Sequence, residues 1–338
     1  MSVSSSWAAV VTGLAVVGFA LQRFLPKRRI SLKGKTVVIT GCDTGFGAGV
    51  VAALVDEGAS VISLCYTSQG VDRTINSGVK SSLLVDLSDE KQLSGAASEI
   101  IKLLKGEDLF AVVHNAGTVT AGMIDFMPME NYRRVMEVNF FAVVALNAHL
   151  LPLLKERTND GSKKRVIIVS SVDGLVSLPG NAPYDASKFA VEAYADALRI
   201  EQSFWDIKVS VINPSTMKTP LALGFFETEK QTYERALTMD KNPNARWKKE
   251  WPKSWLDAHI ETNSKGLEQI AQDPKIVIKD MVDSLTSAEP EFRYLSGTAA
   301  KTLFWFLWVA PEWLSFSIKK ATIAPPPSVI TTDSKIKE

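Results

Sequence analysis

A doubly wound α/β domain on a mostly parallel sheet is predicted for residues 35–297, and three observations predict it. Short apolar runs alternate with helical patterns, a glycine-rich turn follows the first run directly, and no internal repeat or linker cuts the block. In chain order, the runs at 35–40, 60–65, 82–85, 109–114, 165–170 and 208–213 read as strands. The stretches 47–57, 90–105, 140–155 and 186–202 read as the helices between them. A strand that returns through a helix lies parallel to its predecessor. Ligands of such sheets bind at the carboxyl ends of the strands. Residues 220–270, rich in Lys, Glu and Trp, read as an insertion over those ends, a lid.

Composition narrows the class. With 46% hydrophobic and 22% charged residues the chain is an ordinary globular one. Its 338 residues allow two domains or one large α/β unit, and the unbroken pattern favours one. A net charge of +1 gives no field for nucleic acid. Two cysteines, Cys42 and Cys65, cannot make a disulfide framework and suit a reducing compartment. The scattered His114, His149 and His259 have no ligand spacing, so a zinc site is not expected.

The two ends differ from the middle. Residues 7–21, WAAVVTGLAVVGFAL, carry no charge, and Arg23, Lys27, Arg28, Arg29, Lys33 and Lys35 follow with no acid before Asp43. That asymmetry predicts a membrane anchor within residues 1–30, with the remainder cytosolic on the endoplasmic reticulum. A span of about 20 residues is reached only by including Phe24 and Leu25 while Arg23 snorkels. A secretory signal is one rival, through the small-x-small Gly18-Phe19-Ala20, although its basic charges lie on the wrong side. A mitochondrial presequence is the other, poor in acids but also in early arginines. Residues 301–322 include TLFWFLWVAPEWL, too short to span and interrupted by Pro311. A core-packing helix and a membrane-interfacial one beside a greasy substrate mouth are both open readings. The polar tail, 323–338, reads as disordered.

Chemistry concentrates at two places. Gly41, Asp43, Thr44, Gly45, Phe46 and Gly47 lie in the turn after the first strand, where glycines admit a pyrophosphate to a helix N-terminus. Farther on, Tyr184 and Lys188 are four residues apart on one helix face, thirteen or more residues after Ser171 at a strand end. A tyrosine takes a proton from an alcohol only if its phenolate is stabilised, and an adjacent ammonium does that. Ser171 can hold the substrate oxygen. Taken singly, each residue has a structural explanation: a tight turn, a helix pair, a strand-end turn.

These motifs, in this order, with His114-Asn115-Ala116-Gly117 and Asn139 between them, resemble the short-chain dehydrogenase/reductase family. The glycine stretch and Phe292–Gly297 are similar to its retinol, 17β-hydroxysteroid and 3-hydroxybutyrate dehydrogenase branch. The resemblance implies a Rossmann-type domain of about seven strands and hydride exchange between a nicotinamide and a carbinol carbon. It places a catalytic tetrad on Asn139, Ser171, Tyr184 and Lys188, with Lys188 on the nicotinamide ribose and Asn139 positioning a water of a proton relay. Asp86 would contact adenine, Asn115, Ala116 and Gly117 would line the cofactor cleft, and Pro214 and Thr219 would lie on its nicotinamide side. His114 and Ser215 depart from the commonest pattern, which has asparagine and glycine there.

The expected activity is an alcohol dehydrogenase or carbonyl reductase acting on a lipophilic, retinoid- or steroid-like substrate. A mitochondrial 3-hydroxybutyrate-type enzyme and a non-catalytic dinucleotide-binding scaffold are the alternatives; degenerate scaffolds usually lose the tyrosine or the lysine, and both are present. NAD is expected over NADP because Asp43 would repel a 2′-phosphate, unless it only caps a helix or Arg73 swings in. A homodimer or homotetramer through 140–155 and 186–202 is expected from the greasy FFAVVALNAHLLPLL, unless the lid buries it.

Overall fold

Strand after strand in this chain is apolar on both faces, and the fold buries both. The computed structural model describes residues 28–156 and 160–327. The predicted anchor at 7–25 lies outside them, as does the tail beyond 327. β1 (Thr36–Thr40), β2 (Ser60–Cys65), β3 (Ser81–Leu84), β4 (Leu109–His114), β5 (Arg165–Val169), β6 (Lys208–Pro214) and β7 (Arg293–Ser296) form one sheet in the order β3-β2-β1-β4-β5-β6-β7. Every adjacent pair is parallel. Alternate residues feed two cores, as period-two side chains must. Val38, Ile62, Val112, Ile168 and Val211 face α3 (Glu90–Leu104), α5 (Ala142–Leu154) and α6 (Ala182–Gln202). Val37, Ile39, Val61, Val113 and Ile167 face α1 (Gly45–Asp56) and α11 (Lys275–Thr286). The order reverses between β1 and β4, which opens a crevice at their carboxyl ends.

Beyond α11 and β7, which the sequence reading did not place, three helices differ from it. α2 (Ser68–Asn76) is a further helix, on a sequence with too few apolar residues to announce it; Thr67 caps it by accepting from the Gly70 N–H at 3.0 Å. α6 starts at Ala182 because Pro183 suits a first helical turn. The helix at 140–155 is the second half of a longer one, α4 (Met129–Met136) running through a wide π turn (Glu137–Phe141) into α5. By length and composition Met129–Leu154 could cross a bilayer, yet Leu146, Leu150 and Leu154 are packed in the core. It is a core helix. Its greasy side is covered by the sheet, α3 and α6 and not by the lid, while Phe141 and, on α6, Phe189 stay exposed.

After β6 come α7 (Pro220–Leu223), α8 (Phe225–Met239), α9 (Arg246–Glu250) and α10 (Lys253–Ile270). A separate small core of Met123, Phe126, Tyr233, Trp255 and Leu256, with Trp247 and Trp251 against it, fixes them over the strand ends. The late tryptophans therefore divide. Those at 247–255 are structural, whereas Trp305, Trp308 and Trp313, on α12 (Trp305–Val309) and α13 (Glu312–Lys320), are exposed at 49%, 46% and 70%.

Candidate active site

The glycine turn is shaped by backbone contact. Gly41 has φ +69° and would drive a Cβ to 2.7 Å from Ala116 Cα; a Cβ on Gly47 would lie 2.1 Å from the Gly41 carbonyl oxygen. Only glycine fits at either position. Thr44, before α1, makes no side-chain capping bond, and no acid lies in the helix's first turn, so its N-terminal amides face the crevice uncapped. That arrangement fits a pyrophosphate. Phe46 lines the crevice and packs on the core behind it, and Thr219 reaches Gly45 from across the opening.

Asn115 braces the floor. Its Nδ2 donates to the carbonyls of Thr40 (3.0 Å) and Gly41 (2.9 Å), while Thr40 Oγ1 accepts from the Asn115 and Ala116 N–H groups. The asparagine thus holds β1 and β4 in register at the crevice. His114, one residue earlier, points away: its Nε2 pairs with Asn147 Oδ1 at 2.8 Å, and burial pulls its pKa down to about 4, leaving it neutral. Asp86 lines the opening with Oδ1 accepting from the Ser88 N–H and hydroxyl. Ser215, the other departure, is tied to β7 by its N–H to the Ser296 carbonyl at 3.0 Å.

Asp43 turns to the end of β2. Its carboxylate accepts from the N–H groups of Tyr66 and Thr67, both at 2.8 Å, and from Thr67 Oγ1 at 2.7 Å, and the Arg73 guanidinium donates to the Asp43 carbonyl. Acid and base thus stand together beside the turn.

Ser171, Tyr184 and Lys188 converge where β5 and α6 meet, lining one cavity of about 910 Å³ with the glycine turn and the lid. Lys188 is 3% exposed; its Nζ donates to the Val169 carbonyl at 2.8 Å and stands 5.5 Å from the Tyr184 ring centroid. Burial pulls the lysine down to about 8, with Glu192 and Asp173 opposing. Burial, then the Asp173 charge, push the Tyr184 phenol well above its ordinary range, while Ser171 pulls it back. Gly117 leaves room beside this pair: a Cβ there would be 3.6 Å from both Lys188 Nζ and Asn139 Oδ1.

Asn139 sits in the π turn, where such wide turns commonly mark function. Its Oδ1 accepts from the Thr118 N–H (2.8 Å), and its Nδ2 donates to the Thr118 carbonyl and to Ser187 Oγ, both at 2.9 Å. The side chain is fully used in holding strand end, helix and α6 together. Pro214 ends β6 at the cavity wall.

Some lining residues went unread in the sequence. Asp173, two positions after Ser171, faces the cavity, and His259 and Asn263, four apart on α10, line its lid side. His259 stacks on Trp255 at 4.8 Å and lies 3.7 Å from Glu229, whose carboxyl is 1% exposed and raised to about 7 by burial. Their only sequence signal was position: one beside a recognised serine, two at a helical interval.

The short chain dehydrogenase family profile matches residues 35–230, more than half of the chain. The chain belongs to the short-chain dehydrogenase family. It is accordingly an oxidoreductase of the alcohol dehydrogenase type, and the scaffold reading falls away. Among similar members, retinol dehydrogenase 7 of Mus musculus is 29% identical over 89% of this chain and 93% of its own. Dehydrogenase/reductase SDR family member 9 of Bos taurus is 30% identical over 81% and 83%. The 17-beta-hydroxysteroid dehydrogenase type 6 of Bos taurus is 29% identical over 88% and 90%. Among solved structures, a short-chain dehydrogenase from Burkholderia phymatum in complex with NAD shares the fold at TM-score 0.64 and 18% identity, covering 82% of this chain and 94% of that one. One from Burkholderia cenocepacia in complex with NADP does so at 0.61 and 19%, covering 88% and 100%.

Proposed function

We propose that the protein interconverts an alcohol and its carbonyl compound on a lipophilic, retinoid- or steroid-like substrate, with Tyr184 as the acid/base. The convergence of Tyr184, Lys188 and Ser171 in one cavity carries the reading. A nicotinamide dinucleotide, held by the glycine turn, Asp86 and Lys188, would supply or accept the hydride. Ser171 Oγ orients the substrate oxygen; Tyr184 gives it a proton in reduction and takes it in oxidation; Lys188, charged, favours the phenolate. Asn139 acts as a positioning residue and keeps Thr118 and Ser187 in place. The greasy lining contributed by Leu221, Phe225, Phe226, Leu267 and Ile270 supports an apolar substrate body, as do the relatives' names. Against a 3-hydroxybutyrate-type substrate stands Asp173, a carboxylate beside the serine that would repel another.

NAD is proposed as the preferred cofactor, because the Asp43 carboxylate lies at the strand end where the adenosine ribose is read. Purified enzyme assayed against retinoid, steroid and hydroxy-acid panels with both cofactors tests this: turnover of lipophilic alcohols with kcat/KM higher for NAD is expected. Asp43→Ser should move the ratio toward NADP about tenfold, worth about 1.4 kcal/mol. A wild-type preference for NADP would assign control to Arg73, and turnover confined to small hydroxy acids would overturn the substrate class.

We also propose a membrane address, through the sequence at 7–25 and a second contact made by α12 and α13. Leu303, Trp305, Phe306, Trp308, Trp313 and Phe316 are all exposed, Lys319 and Lys320 end the helix, and Phe304 and Thr322 line the cavity. Such a surface suits the headgroup zone and would set the cavity mouth at the lipid. Protein lacking residues 1–27 should still sediment with anionic vesicles, and Trp308→Ser with Trp313→Ser should weaken that by about tenfold or more. Binding that vanishes with residues 1–27, or that ignores the tryptophans, would remove the second contact.

A further inference from the structure

Asp173 puts a carboxylate into the cavity wall two residues after Ser171. The 3₁₀ turn Val172–Gly174 holds the two side chains together: Ser171 Oγ accepts from the Asp173 N–H at 3.1 Å and donates to Asp173 Oδ2 at 3.3 Å. Gly174 seats this turn against α6, where a Cβ would be 3.0 Å from the Lys188 carbonyl oxygen. The turn cannot move away from the reacting centre without leaving that helix.

The carboxylate is poorly supplied with donors. Asn181 Nδ2 reaches Oδ2 only at 3.5 Å and is committed to Asp185 at 2.7 Å; Asp185 takes Ser177 Oγ and the Leu178 N–H as well, each at 2.8 Å. Among the described residues, both side-chain hydrogen bonds of Asp173 run through Oδ2. Burial raises its pKa, with Ser171 and then Lys188 opposing. A carboxylate in a largely apolar cavity gains most from a donor brought by the ligand.

We infer that Asp173 is a specificity-determining residue: it accepts a hydrogen bond from a hydroxyl or ammonium group on the carbon next to the reacting one. The preferred substrates are then apolar bodies ending in a vicinal diol, a 2-amino alcohol, or the matching α-hydroxy or α-amino ketone. This rests on the function proposed above, in which Ser171 holds the reacting oxygen. The two groups are neighbours, joined at 3.3 Å through Oδ2, as are heteroatoms on adjacent carbons in a gauche arrangement, about 3 Å apart. A ligand without the donor leaves the carboxylate unmatched, the kind of difference by which a polar site discriminates strongly.

The test assays full-length enzyme in mild detergent with long-chain 1,2-diols and 2-amino alcohols beside chain-matched mono-alcohols. A kcat/KM higher by about 10- to 100-fold for the vicinal substrates is expected. Asp173→Ala should bring that ratio close to one. Asp173→Asn should keep part of the diol preference, because an amide oxygen still accepts from a hydroxyl, and lose the added preference for ammonium; it decides the matter if the alanine variant does not fold. Equal use of mono-alcohols by the wild type, or a ratio unchanged in both variants, would overturn the inference and leave the proposed function standing. Failure to oxidise any lipophilic alcohol would overturn that function first, and the inference with it.

Discussion

Tyr184→Phe should lower kcat by about 10²–10⁴, because the substitution removes the hydroxyl proposed to exchange a proton with the substrate and leaves the ring packing intact. Cofactor affinity and thermal midpoint should stay near wild type, which separates lost chemistry from lost structure. The pH profile adds a direction. Burial and the Asp173 charge keep the phenol protonated to high pH, so it is the acid form that abounds at neutrality. Carbonyl reduction, which uses that form, should hold its rate toward acid pH. Alcohol oxidation needs the phenolate and should fall as pH drops; the phenylalanine variant should lose both profiles. Near wild-type turnover in that variant, or reduction that rises with pH, would remove Tyr184 from the proposed role.

The second large effect is expected at Gly47. A methyl group there would lie 2.1 Å from the Gly41 carbonyl oxygen and 2.6 Å from Asn115 Nδ2, the atom that ties the ends of β1 and β4 together. Gly47→Ala must push α1 off the turn or break the brace, at about 1–3 kcal/mol or more. Several degrees of thermal midpoint and at least tenfold in dinucleotide affinity should go together, read by calorimetry and by fluorescence titration. Gly95→Ala is the control: nothing lies within 4 Å of its added carbon, on an ordinary helical turn of α3, so it should be neutral or stabilising by up to about 1 kcal/mol. Equal behaviour of the two variants would show that the turn does not depend on that contact.

The sheet was legible because its central strands are buried on both faces and need no partner to declare themselves; TVVIT and RVIIV carry unbroken β-branched runs whatever packs on them. The proposed catalytic residues were legible because proton transfer restricts residue types and helical spacing restricts where they meet. What escaped depends on three-dimensional neighbours. α2 has a polar sequence and forms where a Thr67 cap and a parallel strand pair make room for it. Asp43 could be read as a carboxylate among glycines, but not as one that reaches the end of β2 beside Arg73. Glu229 and His259 lie thirty residues apart and meet only when α8 and α10 pack.

The π turn at Glu137–Phe141 has a consequence for phase. Val135, Asn139, Val143 and Asn147 are spaced by four and are all buried. At 3.6 residues per turn, each step of four drifts by about 40°, so three steps in an unbroken α-helix would swing the last of them about 120° around the axis. A wider turn winds less per residue and takes up part of that drift. Asn139, bound to Thr118, and Asn147, bound to His114 at the end of β4, thereby share one inward stripe. The extra residue acts as a phase correction, letting one continuous helix present Asn139 beside the cavity and Leu146 and Leu150 to the hydrocarbon interior.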